Sequence, residues 1–136
     1  MRAILTTESQ RKRWAKDPRT AAIIGAAIEV HRALGPGLLE SAYEECLRHE
    51  LHLRGVAFER QVNLPVLYKG LLFDCGYKMD LVVERQIVLE LKAVESILPV
   101  HKAQLLTYLK LSQKQVGLLI NFNVPLMTRG IIRRVP

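Results

Sequence analysis

The sequence predicts an α/β domain in which a mixed central sheet is flanked by helices, in the order α-α-β-β-β-α-β. Three observations predict it. Two helical stretches come first, parted by Gly35-Pro36-Gly37. Apolar segments separated by turn signals follow, and one further helix then precedes a short buried strand. The 136 residues make one domain, with 49% hydrophobic and 24% charged side chains as in ordinary globular proteins.

Residues 1–19 read as a polar, basic leader, and 20–136 as the single domain. Thr20 is placed to cap a helix running through Ala21-Ala22-Ile23-Ile24 to about Leu34. Gly35-Pro36-Gly37 ends it, because proline lacks the N–H that a helix needs. A second helix spans about Leu38 to Arg54, with Gly55 at its C-terminal cap. Val56 to Tyr68 is strand-like, with Pro65 marking an edge or a bulge. Lys69-Gly70 turns the chain into a strand from about Leu71 to Glu84, and Arg85-Gln86 turns it again into Ile87–Val94. Pro99 precedes a third helix, about Val100 to Leu111. Val116 to Phe122 is another buried strand, and Leu126 to Pro136 is basic and weakly strand-forming.

The net charge of +7 is concentrated at the two ends. Residues 1–20 hold six bases against Glu8 and Asp17, the last eight hold Arg129, Arg133 and Arg134 with no acid, and the body between is neutral. Such ends serve either as arms that attract a polyanion such as nucleic acid or as solvated termini. No apolar run approaches the roughly 18–20 residues of a membrane span, and no signal-peptide pattern is read at the N-terminus. Cys46 and Cys75 are too few for a disulfide framework and have no zinc-type spacing. A cytoplasmic setting is expected.

Chemistry shows as charge where a core should be. In Ile87-Val88-Leu89-Glu90-Leu91-Lys92, alternation puts Glu90 and Lys92 on one face and Leu89 and Leu91 on the other. Burying a carboxylate and an ammonium in an apolar strand is costly unless a metal ion, a phosphate-binding cleft at the sheet's edge or a mutual ion pair compensates. Asp80 lies within the apolar stretch one hairpin earlier, where pairing across Arg85-Gln86 brings it opposite Glu90–Lys92. Two carboxylates suit Mg²⁺, which takes one or two of them plus water and substrate phosphate. A lysine beside such an ion can help deprotonate the attacking water or stabilise charge on the phosphorane.

The second helix adds Glu40, inside a stripe of Leu39, Ala42, Tyr43, Cys46, Leu47 and Leu51. A first-turn glutamate is also favoured by the helix dipole alone. Glu50 shares the stripe and reads equally as a structural hydrogen-bonding residue. In the third helix His101, Gln104 and Tyr108 share a face; Gln104 stands out between Ala103 and Leu105.

Gly37-Leu38-Leu39-Glu40-Ser41-Ala42-Tyr43 resembles the motif of the GxxExxY proteins, a bacterial and archaeal group placed in the PD-(D/E)XK nuclease superfamily. The blocks Val30–Gly37, Glu90–Val94, Gln104–Lys110 and Gly117–Phe122 resemble its other signatures, and the likeness spans about residues 20–134. It implies a restriction-endonuclease-like α/β core with a divalent-metal site. Asp80 matches the superfamily's metal-binding aspartate, Glu90 and Lys92 its (D/E)-x-K element, Glu40 its first-helix acid and Gln104 its following-helix polar residue. Met79 stands where the motif name has proline. The implied function is a Mg²⁺- or Mn²⁺-dependent nuclease, with Asp80, Glu90 and Glu40 serving the metal and Lys92 and Gln104 completing the catalytic set. The implied partner is nucleic acid, DNA or RNA; no membrane partner is expected from the apolar runs, and a homodimer is an expected alternative to a monomer. The alternative is a non-catalytic nucleic-acid- or protein-binding module that retains the fold.

Overall fold

The computed structural model describes residues 17–136, so nearly all of the expected basic leader lies outside the described residues. Helix α1 is Pro18–Leu34 and begins three residues before the expected start at Ala21. Asp17 is its N-cap, with Oδ1 accepting from the Arg19 amide at 3.0 Å, and Pro18 sits where no helical N–H is required. Thr20, expected to be the cap, is buried inside the first turn instead. Gly35 ends the helix at φ +70°, a left-handed conformation that favours glycine.

Helix α2, Glu40–Leu53, buries Tyr43, Leu47 and Leu51. The expected stripe is narrower than read. Leu39 stands 76% exposed as the N-cap residue, and Glu50 holds Arg54 in an ion pair at 2.8 Å.

Strands β1 (Phe58–Asn63), β4 (Lys78–Val83), β5 (Ile87–Lys92), β6 (Val116–Asn121) and β7 (Ile131–Arg134) form one sheet in the order β1-β4-β5-β6-β7. All neighbours are antiparallel except β5 and β6, which run parallel through helix α3, Pro99–Ser112. The two long strands expected over residues 56–68 and 71–84 are each divided. Pro65 has no N–H for the ladder, and the Leu64 amide instead donates to the Tyr77 carbonyl at 2.8 Å. The pieces β2 (Val66–Tyr68) and β3 (Leu71–Phe73) pair into a separate hairpin. Asp74 then turns the chain by accepting from the Gly76 amide at 2.7 Å.

Helices α1 and α2 cover one face of the sheet, packing on Leu81, Val83, Ile87, Leu89, Leu91, Leu118 and Ile120. On the other face α3 packs Leu105, Tyr108 and Leu109 against Val82, Val88 and Leu119. α3 comes so close to β6 that a Cβ on Gly117 would meet Leu105 Cδ1 at 2.7 Å, which explains a glycine inside an apolar strand. The C-terminal arginines are not a free arm. Arg133 and Arg134 lie in β7, the edge strand paired with Leu118 and Gly117, where charge discourages edge-to-edge association.

Candidate active site

The site is built where β4 and β5 part company. Their ladder registers Val83 with Ile87, Val82 with Val88 and Leu81 with Leu89, and ends there. At the next position the Leu91 amide is taken by Oδ2 of Asp80 at 2.8 Å, in place of a backbone carbonyl. The Asp80 amide approaches Oε1 of Glu90 at 3.4 Å. Strict alternation also fails here: Leu81 packs toward α1 and α2, whereas Met79 joins the cluster beneath α3. Asp80 thus sits in a fork between two strands, with its carboxylate against that of Glu90.

β5 is a central strand, not an edge strand. The expected cleft at the sheet's edge is therefore corrected to the ends of the central strands. A central position explains why Glu90 is only 5% exposed. Burial, then the Asp80 charge, and a hydrogen bond to the Asp80 carboxylate push its pKa from the ordinary 4.5 to about 9, with Lys92 pulling weakly the other way. Leu89 and Leu91 enter the core under α1 and α2 while Val88 faces α3, so Glu90 and Lys92 belong to the α3 side, as alternation predicts.

Glu40 enters from the first residue of α2. Burial and then the charge of Asp80 raise its pKa, against the attraction of Lys92, which places the four groups Glu40, Asp80, Glu90 and Lys92 in one electrostatic neighbourhood. Gln104 lies on α3, where its Nε2 donates to the Tyr108 hydroxyl at 3.1 Å. Tyr108 is buried, and burial followed by the Glu90 charge raises its pKa, so this pair borders the carboxylates. The structure thereby groups Glu40, Asp80, Glu90 and Lys92, and Gln104 reaches this group through Tyr108.

Three further residues shape the site without having been assigned to it. Tyr77, between β3 and β4, approaches Tyr108 with ring centroids 6.3 Å apart; nothing in its local sequence marks it. Asn121, 2% exposed, registers beside Lys92. Its Oδ1 accepts from the Val94 and Asn123 amides at 3.0 and 3.2 Å, and its Nδ2 donates to the Val94 carbonyl at 2.9 Å. This pins the chain leaving Lys92, and a buried asparagine ending an apolar strand was the available signal. Tyr43 is the third. Its hydroxyl donates to the Gly35 carbonyl at 2.6 Å and accepts from the Leu38 amide at 3.1 Å, holding the loop that precedes Glu40.

A family model described as the PD-(D/E)XK nuclease superfamily matches residues 17–135. The chain belongs to that superfamily. No curated protein and no solved structure matches it. The mixed five-stranded sheet between helices is accordingly a restriction-endonuclease-like α/β fold. In this PD-(D/E)XK domain Asp80 lies on β4, and Glu90 and Lys92 lie two residues apart on β5. Among the described residues no three His, Cys, Asp or Glu side chains form a ready cation cage. The buried Glu90 carboxyl, with its raised pKa, and the half-buried Asp80 carboxylate beside it fit a hard cation that completes its shell with water and phosphate. Among the described residues no helix is long and apolar enough to cross a membrane.

Proposed function

We propose that this PD-(D/E)XK domain is a Mg²⁺- or Mn²⁺-dependent nuclease that hydrolyses phosphodiester bonds of DNA or RNA. The observation that carries the reading is the buried Glu90 carboxyl held against Asp80, with Lys92 on the same strand. Such a pair is stable only with a proton or a cation between its members, and a domain of ordinary stability gains nothing from this arrangement by itself.

In this reading Asp80 and Glu90 hold the metal, and Glu40 supports a second position at the mouth of the site. A divalent ion there would polarise a phosphoryl oxygen and lower the pKa of coordinated water. Lys92, as an ammonium, orients the attacking water and stabilises charge developing on the phosphoryl oxygens. Gln104 keeps one N–H beyond its bond to Tyr108 for Lys92's surroundings or a phosphate oxygen. The Leu91 amide fixes the Asp80 carboxylate so that it need not reorganise when substrate arrives. The motif Gly37-x-x-Glu40-x-x-Tyr43 supports placement in the GxxExxY group.

The test is calorimetric titration of Mg²⁺ and Mn²⁺ into wild type and Asp80→Ala, beside degradation assays on plasmid DNA and on RNA. Metal binding lost in the variant, with metal-dependent cleavage by wild type, is the expected result. Neither binding nor cleavage in wild type would leave a binding module that kept the fold.

A further inference from the structure

The β2–β3 hairpin is the least expected surface of this molecule. It lies outside the main sheet, and each of its strands has one unpaired edge. Leu67, Tyr68, Leu71 and Leu72 are 60–65% exposed, and Phe73 and the neighbouring Tyr77 are 37% and 47% exposed. Leu67 registers with Leu72 on one side of the ribbon, while Tyr68 with Leu71 and Val66 with Phe73 occupy the other. An isolated two-stranded ribbon is marginal in water, and one that is apolar on both sides is more so.

We propose that this hairpin is the surface through which two copies of the chain form a dimer. Area is the first argument. Aromatic side chains bury about 150–250 Å² each and leucines less, so the six exposed fractions, counted over both sides of the ribbon, offer at most on the order of 500–800 Å² per copy. That approaches the roughly 800 Å² per partner of a standard interface. Charge is the second. From Leu64 to Phe73 the sole charged residue is Lys69, whose ammonium lies 5.4 Å from the centre of the Tyr68 ring. A chain of net charge +7 repels its own copies, and a neutral apolar segment is where that repulsion is least. Chemistry is the third. Three exposed leucines match an apolar copy of themselves, and although Tyr68, Phe73 and Tyr77 offer rings, the single cation Lys69 is a weak complement to a polyanion.

A twofold contact satisfies the patch with itself, since each copy presents the same surface. The hairpin joins β1 to the start of β4, and Asp80 is the third residue of β4. The dimer axis therefore lies at the end of the sheet that holds the carboxylates. The proposal stands whether or not those carboxylates cut anything.

Sedimentation velocity on the full chain tests it, with wild type beside Leu67→Lys/Leu72→Lys over a micromolar concentration series. Circular dichroism reports whether each protein is folded. Wild type is expected at twice the 15.5 kDa chain mass and the folded double variant at the single mass. If the double variant does not fold, Leu72→Ser replaces it, with an expected rise in the dimer dissociation constant of about tenfold or more. A monomeric wild type overturns the proposal, as does a dimer that survives the substitutions. A double variant with unchanged mass but weakened oligonucleotide binding also overturns it, and assigns the hairpin to nucleic acid.

Discussion

Tyr43 lies flat against Phe122, with ring centroids 4.6 Å apart and planes inclined by only 7°. The Phe122 amide donates to the Lys92 carbonyl at 2.9 Å, and the Tyr43 hydroxyl bridges the Gly35 carbonyl and the Leu38 amide. One tyrosine therefore connects the loop in front of Glu40 to the strand end that bears Lys92. This gives a physical reason for a glycine, a glutamate and a tyrosine at intervals of three. The glycine turns, the glutamate opens the helix, and the tyrosine one turn later ties the turn down.

Tyr43→Phe keeps the stack and removes both hydroxyl bonds. Because Leu38 and Gly35 are reached by water, the expected loss is about 1 kcal/mol of unfolding free energy. Tyr43→Ala also removes a fully buried ring and is expected to cost about 3–5 kcal/mol. Urea unfolding measures both. Equal losses for the two variants would mean that the ring does not hold the interior together.

The proton on Glu90 makes the metal-free protein sensitive to pH. Its folded pKa, about 9, lies above the ordinary 4.5, so the folded state keeps a proton that the unfolded chain has released. This contribution to stability is complete below about pH 4.5 and is lost as pH rises toward 9. Glu90→Gln is expected to flatten that part of the stability profile in thermal melts without metal. A variant with the wild-type slope would place the titration elsewhere.

Metal binding must displace the same proton. Calorimetry at pH 7 in two buffers of different ionisation enthalpy is expected to show proton release on Mg²⁺ binding, and added Mg²⁺ is expected to raise the melting temperature more at pH 8 than at pH 6. Identical apparent enthalpies in the two buffers would argue against a cation replacing the proton.

Lys92→Ala and Asp80→Ala should part company. The lysine is not a ligand to a cation, so its loss is expected to leave metal affinity nearly intact while lowering cleavage about 100- to 1,000-fold. Losing Asp80 removes a hard oxygen and the acceptor of the Leu91 amide, so both metal binding and cleavage are expected to fail. Loss of metal binding in Lys92→Ala would make the lysine structural.

Nucleic-acid binding is expected to weaken steeply with salt, because each neutralised phosphate releases counterions. Deleting residues 1–16 removes four net positive charges and leaves the α1 cap in place; it is expected to lower affinity and flatten the salt slope. Deleting through residue 19 also removes the Asp17 cap, at an expected cost of about 1 kcal/mol, seen in thermal melts. An unchanged slope after the shorter deletion would make residues 1–16 irrelevant to binding.

The sequence by itself determined the α/β class, the three helices and the pairing of Glu90 with Lys92. All of these follow from local rules. Periodicity separates helix from strand, Gly35-Pro36-Gly37 forbids a continuous helix, and alternation puts residues 90 and 92 on one side of any strand. Those same rules misplaced the cap at Thr20, because whether a threonine faces solvent or core depends on what packs over it. They also fused β1 with β2 and β3 with β4, since an apolar alternating run looks the same whether its neighbour is the main sheet or a separate hairpin. Tertiary structure alone decided that β5 is central, that β4 and β5 separate at Asp80, and that Glu40, Gln104 and Tyr108 gather around the fork. These are contacts between residues 10 to about 50 positions apart in the chain, and their geometry depends on how helices pack over a twisted sheet. The burial that drives Glu90 to keep its proton belongs to this second kind of information. A carboxylate's identity is written in one residue, but its pKa is set by everything that excludes water from it.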